Sequence, residues 1–179
     1  MKHLICIRKA NTQDIPAMLA LLNRFAPDEL LLPRSEDDLL QHLQEFIVAT
    51  HENDLLGISA LHIYTSNLAE IRSLAVNPDY QKLGIGKLLI EACEKLAVEL
   101  GIASLFALTY VSIFFEKVGY HVVKKESLPH KIWTVCIHCK KFAHCDEIAV
   151  QKRLSDAPIK PIQLAIVERV SEAPEFDSM

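Results

Sequence analysis

The chain has 179 residues, half of them apolar, which is enough for one domain with its own hydrophobic core. Its 19 Lys and Arg against 23 Asp and Glu leave a net charge of −4. That balance argues against a nucleic acid or a membrane surface as a partner, because either would require a basic face. The N-terminus lacks the pattern of an export signal, so we expect a cytoplasmic protein whose five cysteines are thiols.

The N-terminal part of the sequence predicts one strand and two helices. Alternation over residues 4–9 indicates a short strand. Apolar residues at helical spacing follow the potential caps Asn11 and Thr12, and they predict a helix over residues 12–25. A loop with two prolines comes next. Ser35 then begins a segment that resembles a capping box and predicts a second helix to about residue 45.

Strand-like runs occupy the middle of the chain. Residues 46–51 and 55–64 are typical of two strands joined by a polar hairpin turn, and residues 70–76 predict a third strand. Gly84 and Gly86 then introduce the clearest helix of the chain, which ends at Gly101.

Four more elements are predicted after this helix, namely a strand, a helix and two strands over residues 104–108, 112–118, 120–125 and 132–137. After about residue 150 the periodicity fades. We therefore expect one domain over residues 1–150 and a peripheral or partly disordered tail over residues 151–179. Hairpins followed by alternating strands and helices predict an α/β (α+β) fold with a mixed sheet and helices on both of its faces.

The segment that joins the third of these strands to the long helix carries the strongest functional signal. A strand ends, a turn follows, and Gly84 and Gly86 stand at the start of the helix. The first turn of a helix has N–H groups without internal partners and the positive end of the helix dipole. Glycines let an anion approach that backbone, and a pyrophosphate is the natural guest. Two glycines alone would equally fit a tight turn with no ligand.

The complete motif resembles the acetyl-coenzyme A signature of the GNAT N-acetyltransferases, Gln/Arg-x-x-Gly-x-Gly/Ala. Its core here is Gln81, Gly84 and Gly86, and the stretch from Phe114 to Tyr120 resembles a later aromatic motif of that family. The resemblance implies a mostly antiparallel sheet with a splayed strand pair, and acetyl-CoA as the cosubstrate. It assigns the following residues to the coenzyme: Leu74, Ala75, Val76, Gln81, Lys82, Leu83, Gly84, Ile85, Gly86, Lys87 and Phe115.

Acetyl transfer to an amine requires a group that accepts a proton, because amines are mostly protonated near neutral pH. In the family a strand glutamate often does this, and Glu70 matches that position; the alternative is a solvated carboxylate at a strand start. The backbone of Leu74 or Ala75 would donate to the developing oxyanion. Many relatives have a tyrosine acid where Phe115 stands. Phe115 cannot donate a proton, so Tyr110, a water or unassisted departure of the thiolate remain as alternatives.

Residues 31–35, 108–109 and 127–133 carry a closer resemblance. Through them, residues 4–149 resemble one branch of this family, the short bacterial N-acetylglutamate synthases. The resemblance implies L-glutamate as the acceptor, bound by Arg34, Ser35, Arg72, Ser73, Thr109 and Lys131. Relatives often have a basic residue near Val111, and this chain has none there. Two alternatives stay open: acetylation of another amine (another amino acid, a polyamine or a protein N-terminus), and a non-catalytic acyl-CoA sensor. The sequence does not fix the oligomeric state, and a homodimer is compatible with it.

A cluster of cysteines and histidines lies near the end of the predicted domain, with Cys136, Cys139, His144 and Cys145 as potential zinc ligands. The spacing is compressed compared with two separated pairs of ligands. We expect packed or partly exposed thiols here, with a zinc site and a redox sensor as the alternatives.

Overall fold

Seven strands form one sheet flanked by four α-helices in the computed structural model, which describes residues 4–25, 31, 33–129 and 145–154. The strands are β1 (Cys6–Lys9), β2 (Phe46–His51), β3 (Asp54–Ile63), β4 (Leu68–Val76), β5 (Ser104–Thr109), β6 (His121–Val123) and β7 (Ile148–Arg153). The helices are α1 (Ile15–Phe25), α2 (Glu36–Gln41), α3 (Ile85–Glu99) and α4 (Ser112–Glu116). The α/β architecture predicted from the sequence is confirmed.

The strand order in the sheet is β1-β2-β3-β4-β5-β7-β6, and every neighbouring pair is antiparallel except β4 and β5. These two parallel strands pair over three residues only, from Leu68 with Ser104 to Glu70 with Phe106. Beyond Glu70, β4 continues to Val76 without β5 as a neighbour. The two strands therefore separate at Glu70, which is the splayed pair that the family resemblance implies.

Alternation along the strands places hydrophobic clusters on both faces of the sheet. Ile47 and Ala49 of β2 pack with α3, whereas Phe46 and Val48 pack with α1 and α2. Most of the predicted helices and strands thus have the structure that their periodicity indicates. None of the helices in the described residues combines the length and apolar character that crossing a membrane requires.

The strand β7 is the element that the sequence analysis missed. It lies between β5 and β6, and the Lys152 Nζ donates to both carboxylate oxygens of Glu94 on α3 (2.8 and 2.9 Å). Ala149 and Val150 are the buried residues of this strand, and polar and charged residues follow them. The apolar run is therefore too short for its periodicity to indicate a strand. Because β7 extends to Arg153, the sheet continues past the boundary predicted at residue 150. The strand predicted over residues 132–137 lies outside the described residues.

Local hydrogen bonds explain where the first helices begin. Asn11 and Asp14 form a reciprocal capping box before α1, and the Arg8 guanidinium donates to both oxygens of Asp14 (2.7 and 2.8 Å). The bond from Arg8 lowers the pKa of the Asp14 carboxyl. The Ser35 hydroxyl accepts the Asp38 N–H (3.1 Å), so Ser35 caps α2 as predicted.

The absence of a side chain at Gly57 sets how closely α3 approaches the sheet. A Cβ at this position in β3 would lie 2.9 Å from the Ala75 carbonyl oxygen, 3.1 Å from Leu89 and 3.2 Å from Ile85. The last two residues belong to the first half of α3. Gly57 therefore lets the N-terminal end of α3 sit directly against β3 and β4.

Gly57→Ala should lower the free energy of unfolding by about 1–3 kcal/mol, because the new methyl group has a backbone oxygen in its way. For a chain of this size we expect the midpoint of thermal unfolding to fall by roughly 3–10 °C. Ser66→Ala, in the exposed turn before β4, is the control and should leave the midpoint unchanged. Equal midpoints for Gly57→Ala and the unmodified protein would show that the helix does not depend on this close approach.

Candidate active site

The N-terminal end of α3 is open to an approaching ligand. Gly84 is the N-cap of the helix and has a left-handed backbone (φ 79°), which glycine adopts without strain. The Leu88 N–H donates to the Gly84 carbonyl oxygen (3.1 Å), so the amides of the preceding residues point out of the helix end. A Cβ at Gly84 would meet no atom within 4 Å. This helix end can therefore accept an anion on its backbone N–H groups.

The loop before this helix is fixed by hydrogen bonds around Asn77. The Asn77 N–H donates to the Leu56 carbonyl oxygen (2.8 Å), and its side-chain oxygen accepts the Asp79 N–H (3.2 Å) and an Arg24 Nη1–H (2.8 Å). Of the residues assigned to the coenzyme, Gln81, Lys82, Leu83 and Lys87 are exposed at this end, and Ile85 is buried beneath them. The loop thus has a defined shape and presents its residues to solvent.

The two sequence motifs meet in space. A Cβ at Gly86 would lie 3.0 Å from the ring of Phe114, so this glycine makes room for the aromatic ring of α4. The neighbouring Phe115 is buried with only 3% of its surface exposed, and its ring packs edge-on against Tyr120 at 5.3 Å. Phe115, which the resemblance assigns to the coenzyme, therefore lies in the core beside α3, while Phe114 contacts the glycine motif.

The C-terminal half of β4 has an irregular backbone beside the gap between β4 and β5. The register with β3 shifts so that Ser59 faces both Ser73 and Leu74, which is a β-bulge, and Ser73 has a left-handed backbone (φ 53°). Leu74, Ala75 and Val76 follow this bulge along the part of β4 that β5 does not cover. Their outer backbone edge is available to a ligand in the gap.

Glu70 lies where the gap begins. It is the last residue of β4 that pairs with β5, and only 8% of its surface is exposed. The Tyr64 hydroxyl donates to Glu70 Oε2 (3.0 Å). Burial raises the pKa of this carboxyl, although the bond from Tyr64 and the nearby charge of Arg72 oppose the shift. A buried carboxyl with a raised pKa is suited to accepting a proton near neutral pH.

Two arginines lie on the same side of the sheet as Glu70. Arg34 precedes α2, with its guanidinium 5.5 Å from the centre of the Phe46 ring and Nη1 2.9 Å from Asp38 Oδ2. Burial lowers the pKa of Arg34, and the positive charge of Arg72 lowers it further. The two arginines therefore lie within electrostatic reach of each other and of Glu70, and each also pairs with a carboxylate, Asp38 or Glu45.

Glu45 holds the second arginine. Its carboxylate accepts the Arg72 Nη2–H (2.9 Å), and its other oxygen lies 2.9 Å from His62 Nδ1. Burial would raise the pKa of Glu45, but the bonds and charges of His62 and Arg72 lower it overall. The Nε of Arg72 is buried and has no hydrogen-bond partner among the described residues. One donor of Arg72 is thus fixed by the protein, and another is left for an acceptor.

The remaining predicted residues have more local contacts. Ser35 caps α2, as described above, and the Thr109 hydroxyl accepts the Val111 N–H (3.0 Å) at the end of β5. Tyr110 is half-buried and follows directly after β5, four residues beyond Phe106. Its role as an acid stays a prediction.

Several predicted residues lie outside the described part of the chain: Lys131, Cys136, Cys139 and His144. Cys145 is described, and its thiol lies 3.9 Å from the Glu147 carboxylate. Among the residues that the structure describes, no group of three or more His, Cys, Asp or Glu side chains is arranged to hold a metal ion. The zinc and redox alternatives for this cluster stay untested.

Sequence reasoning did not single out Glu45, His62 or Tyr64. None belongs to a motif. The register of β3 with β4, in which His62 faces Glu70 directly, brings His62 and Tyr64 to Glu70, while Glu45 reaches Arg72 from the turn before β2. A signal was present: His62 interrupts an apolar strand on the face that Glu70 shares. Reading it required the register, which the sequence alone does not give.

Comparison with known proteins agrees with this geometry. The sequence pattern of the acetyltransferase (GNAT) family matches residues 15–120. An uncharacterized N-acetyltransferase of Chlorobaculum tepidum is 40% identical over 149 residues, which cover 83% of this chain and 96% of the relative. An amino-acid acetyltransferase of Mycobacterium tuberculosis is 29% identical over 158 residues, which cover 87% of this chain and 87% of the relative.

A solved structure gives the same fold with ligands present. The N-acetylglutamate synthase of Neisseria gonorrhoeae, complexed with coenzyme A and N-acetyl-glutamate, superposes with a TM-score of 0.78 and 28% identity. The match covers 87% of this chain and 36% of that protein, so this chain spans about a third of its length.

Gly84→Ala should weaken coenzyme A binding by roughly 5- to 30-fold, because a left-handed backbone costs about 1–2 kcal/mol with a side chain and the helix end would relax. Gly101→Ala is the matched control, since Gly101 has nearly the same backbone (φ 80°) at the opposite end of α3. Titration calorimetry with coenzyme A measures both. The same dissociation constant for both variants would show that Gly84 does not contribute to coenzyme A binding.

Proposed function

Because this chain belongs to the acetyltransferase (GNAT) family, we propose that it transfers the acetyl group of acetyl-CoA to the α-amine of L-glutamate. Membership makes the chain an acetyl-CoA-dependent N-acetyltransferase, and the acceptor is the part that we propose. The product would be N-acetyl-L-glutamate, the entry step to arginine synthesis. One observation carries the proposal: a buried carboxyl lies beside two arginines at the point where β4 and β5 separate.

The structure contains a suitable place for the coenzyme. The helix end at Gly84 would receive the pyrophosphate on the backbone N–H groups of residues 83–87, and an added Cβ at Gly84 would meet no atom within 4 Å. The uncovered edge of β4 at Leu74 and Val76 would pair with the pantetheine arm. When bound, acetyl-CoA supplies an acetyl group activated as a thioester.

Glu70 is the proposed general base. The amine must lose a proton to attack the thioester carbonyl, and the carboxylate would accept that proton directly or through a water. Burial keeps the carboxyl away from bulk water and raises its pKa toward the working range. The backbone N–H of Leu74 or Ala75, beyond the bulge at Ser73, is the proposed donor to the oxygen on which negative charge develops.

Arg34 and Arg72 are the proposed partners of the substrate carboxylates. Each presents a planar set of donors that matches a carboxylate, and burial strengthens such a contact because water competes less. The unpartnered Nε of Arg72 is a donor that a substrate oxygen would satisfy. A substrate with an amine and carboxylates fits this combination of a base and two cations better than a polyamine does.

Direct attack by the amine is the proposed route. A covalent acetyl-cysteine would require a reactive thiol near Glu70, and neither coenzyme motif contains a cysteine. Cys93 is fully buried on α3, where burial raises the pKa of its thiol to about 11, so it is a poor nucleophile.

A steady-state assay with acetyl-CoA and a panel of amines tests the proposal, with the released thiol as the readout. The panel should contain L-glutamate, L-glutamine, L-aspartate, spermidine and a peptide with a free N-terminus. We expect the highest kcat/KM with L-glutamate. Turnover confined to amines without a carboxylate would contradict L-glutamate as the acceptor. It would still agree with the assignment of the chain as an acetyltransferase.

Glu70→Gln should lower kcat by about 100-fold or more, because the amide cannot accept the proton. Coenzyme A binding should not change. In the unmodified enzyme kcat/KM should fall as pH decreases through the raised pKa of Glu70, since only the ionised form acts as a base. Glu99→Gln, at the far end of α3, is the control. Rates that match the unmodified enzyme at every pH would remove Glu70 from the reaction.

Arg34→Ala should raise the KM for L-glutamate by about 30- to 150-fold, which corresponds to roughly 2–3 kcal/mol for a lost charged hydrogen bond. The KM for acetyl-CoA should stay the same. Lys95→Ala, which removes an exposed cation from α3, is the control. An unaltered KM for L-glutamate would show that Arg34 does not bind the substrate and only contributes to the structure of its loop.

A further inference from the structure

We propose that Tyr64 is the positioning residue of the acid–base step, whose hydroxyl holds the Glu70 carboxylate in one orientation at the start of the gap between β4 and β5. This inference rests on the proposed role of Glu70 and adds a residue outside both sequence motifs. The contact that carries it is the bond from the Tyr64 hydroxyl to Glu70 Oε2, at 3.0 Å.

The ring of Tyr64 is itself fixed on two sides. It lies edge-on to the His62 ring with 4.8 Å between the centres, and it packs against the Phe106 ring at 5.7 Å. Phe106 is fully buried and pairs with Glu70 across the two strands. Tyr64 follows directly after β3. Because its ring is packed against two neighbouring rings, its hydroxyl has little freedom to turn away from Glu70.

The backbone around Tyr64 adds to this rigidity. The N–H groups of Tyr64 and Thr65 both donate to the Leu68 carbonyl oxygen (3.0 and 3.1 Å), which closes the turn between β3 and β4. The turn therefore joins the tyrosine and the start of the strand that carries Glu70. A carboxylate side chain can rotate about its last bonds, and this contact restricts that rotation.

The bond also acts on the ionisation of Glu70. A hydroxyl donor stabilises the carboxylate more than the neutral acid, and so it opposes the effect of burial. Other charged or titratable groups that face Glu70 or lie near it come from β3, β4, the residues before α2 and the residues before β7: His62, Arg72, Arg34 and Glu147. The Tyr64 hydroxyl contacts the Glu70 carboxylate directly, at 3.0 Å from Oε2.

The direct consequence is that the base stays ionised to a lower pH than burial alone would permit, and that its carboxylate is held in one orientation for the acceptor amine. Removal of the hydroxyl should therefore move the acid limb of the pH profile to higher pH. A tyrosine with a purely structural role would change stability without moving that limb.

The test compares Tyr64→Phe with Tyr120→Phe, which removes another buried tyrosine hydroxyl on the opposite side of the sheet. For Tyr64→Phe we expect the acid limb of kcat/KM to shift upward by about one pH unit, as one charged hydrogen bond is lost. At the high-pH plateau kcat should fall only by about two- to fivefold. Tyr120→Phe should leave the limb in place.

A second readout does not depend on the acceptor. Titration of the Glu70 carboxyl by ¹³C NMR in the free protein should show the same upward shift for Tyr64→Phe, so failure of L-glutamate as a substrate leaves this result intact. Tyr64→Phe keeps the ring and its packing against His62 and Phe106, so the fold should be retained, and far-UV circular dichroism checks this. An unmoved Glu70 titration and an unmoved acid limb would overturn the proposal.

Discussion

The separation of β4 and β5 after Glu70 is the constraint on which the rest of the site depends. Parallel strands normally satisfy each other's backbone groups, and here the pairing stops after three residues. The bulge at Ser73 turns the remaining part of β4, and its uncovered edge then faces the gap. A ligand with amide groups of its own is suited to complete such an edge, as an added strand would.

The packing of α3 brings the second half of the site to this gap. Gly57 allows Ile85 and Leu89 to lie directly on the sheet. Gly84 is the N-cap of the helix, whose first amides have no partner within the helix. An anion site and an unpaired strand edge are thus held by one rigid core. On the other face of the sheet, Arg34, Arg72 and Glu70 are grouped by α2 and by the register of β3 with β4. In the proposed function, the two faces would supply the coenzyme site and the acceptor site separately.

Much of this could be predicted from sequence, for local reasons. The helix end at Gly84 follows from glycines and a strand-to-helix transition. Glu70 is selected through the family resemblance, and its role as a base stays a prediction. The strand β7 could not be predicted in this way, since its stability comes from pairing with β5 and β6 and from the contact of Lys152 with Glu94. Likewise, the roles of Glu45 and Tyr64 could not be predicted, because they depend on hydrogen bonds to Arg72, far along the chain, and to Glu70, across a turn.

A crystal structure with coenzyme A and N-acetyl-L-glutamate tests the central claim most directly. The account predicts the pantetheine arm along Leu74 and Val76, and the product's amide nitrogen within hydrogen-bond distance of Glu70 or of a water bound to it. It also predicts at least one product carboxylate on Arg34 or Arg72. A coenzyme that lies outside the gap between β4 and β5, or a product that leaves Glu70 without contact, would contradict it.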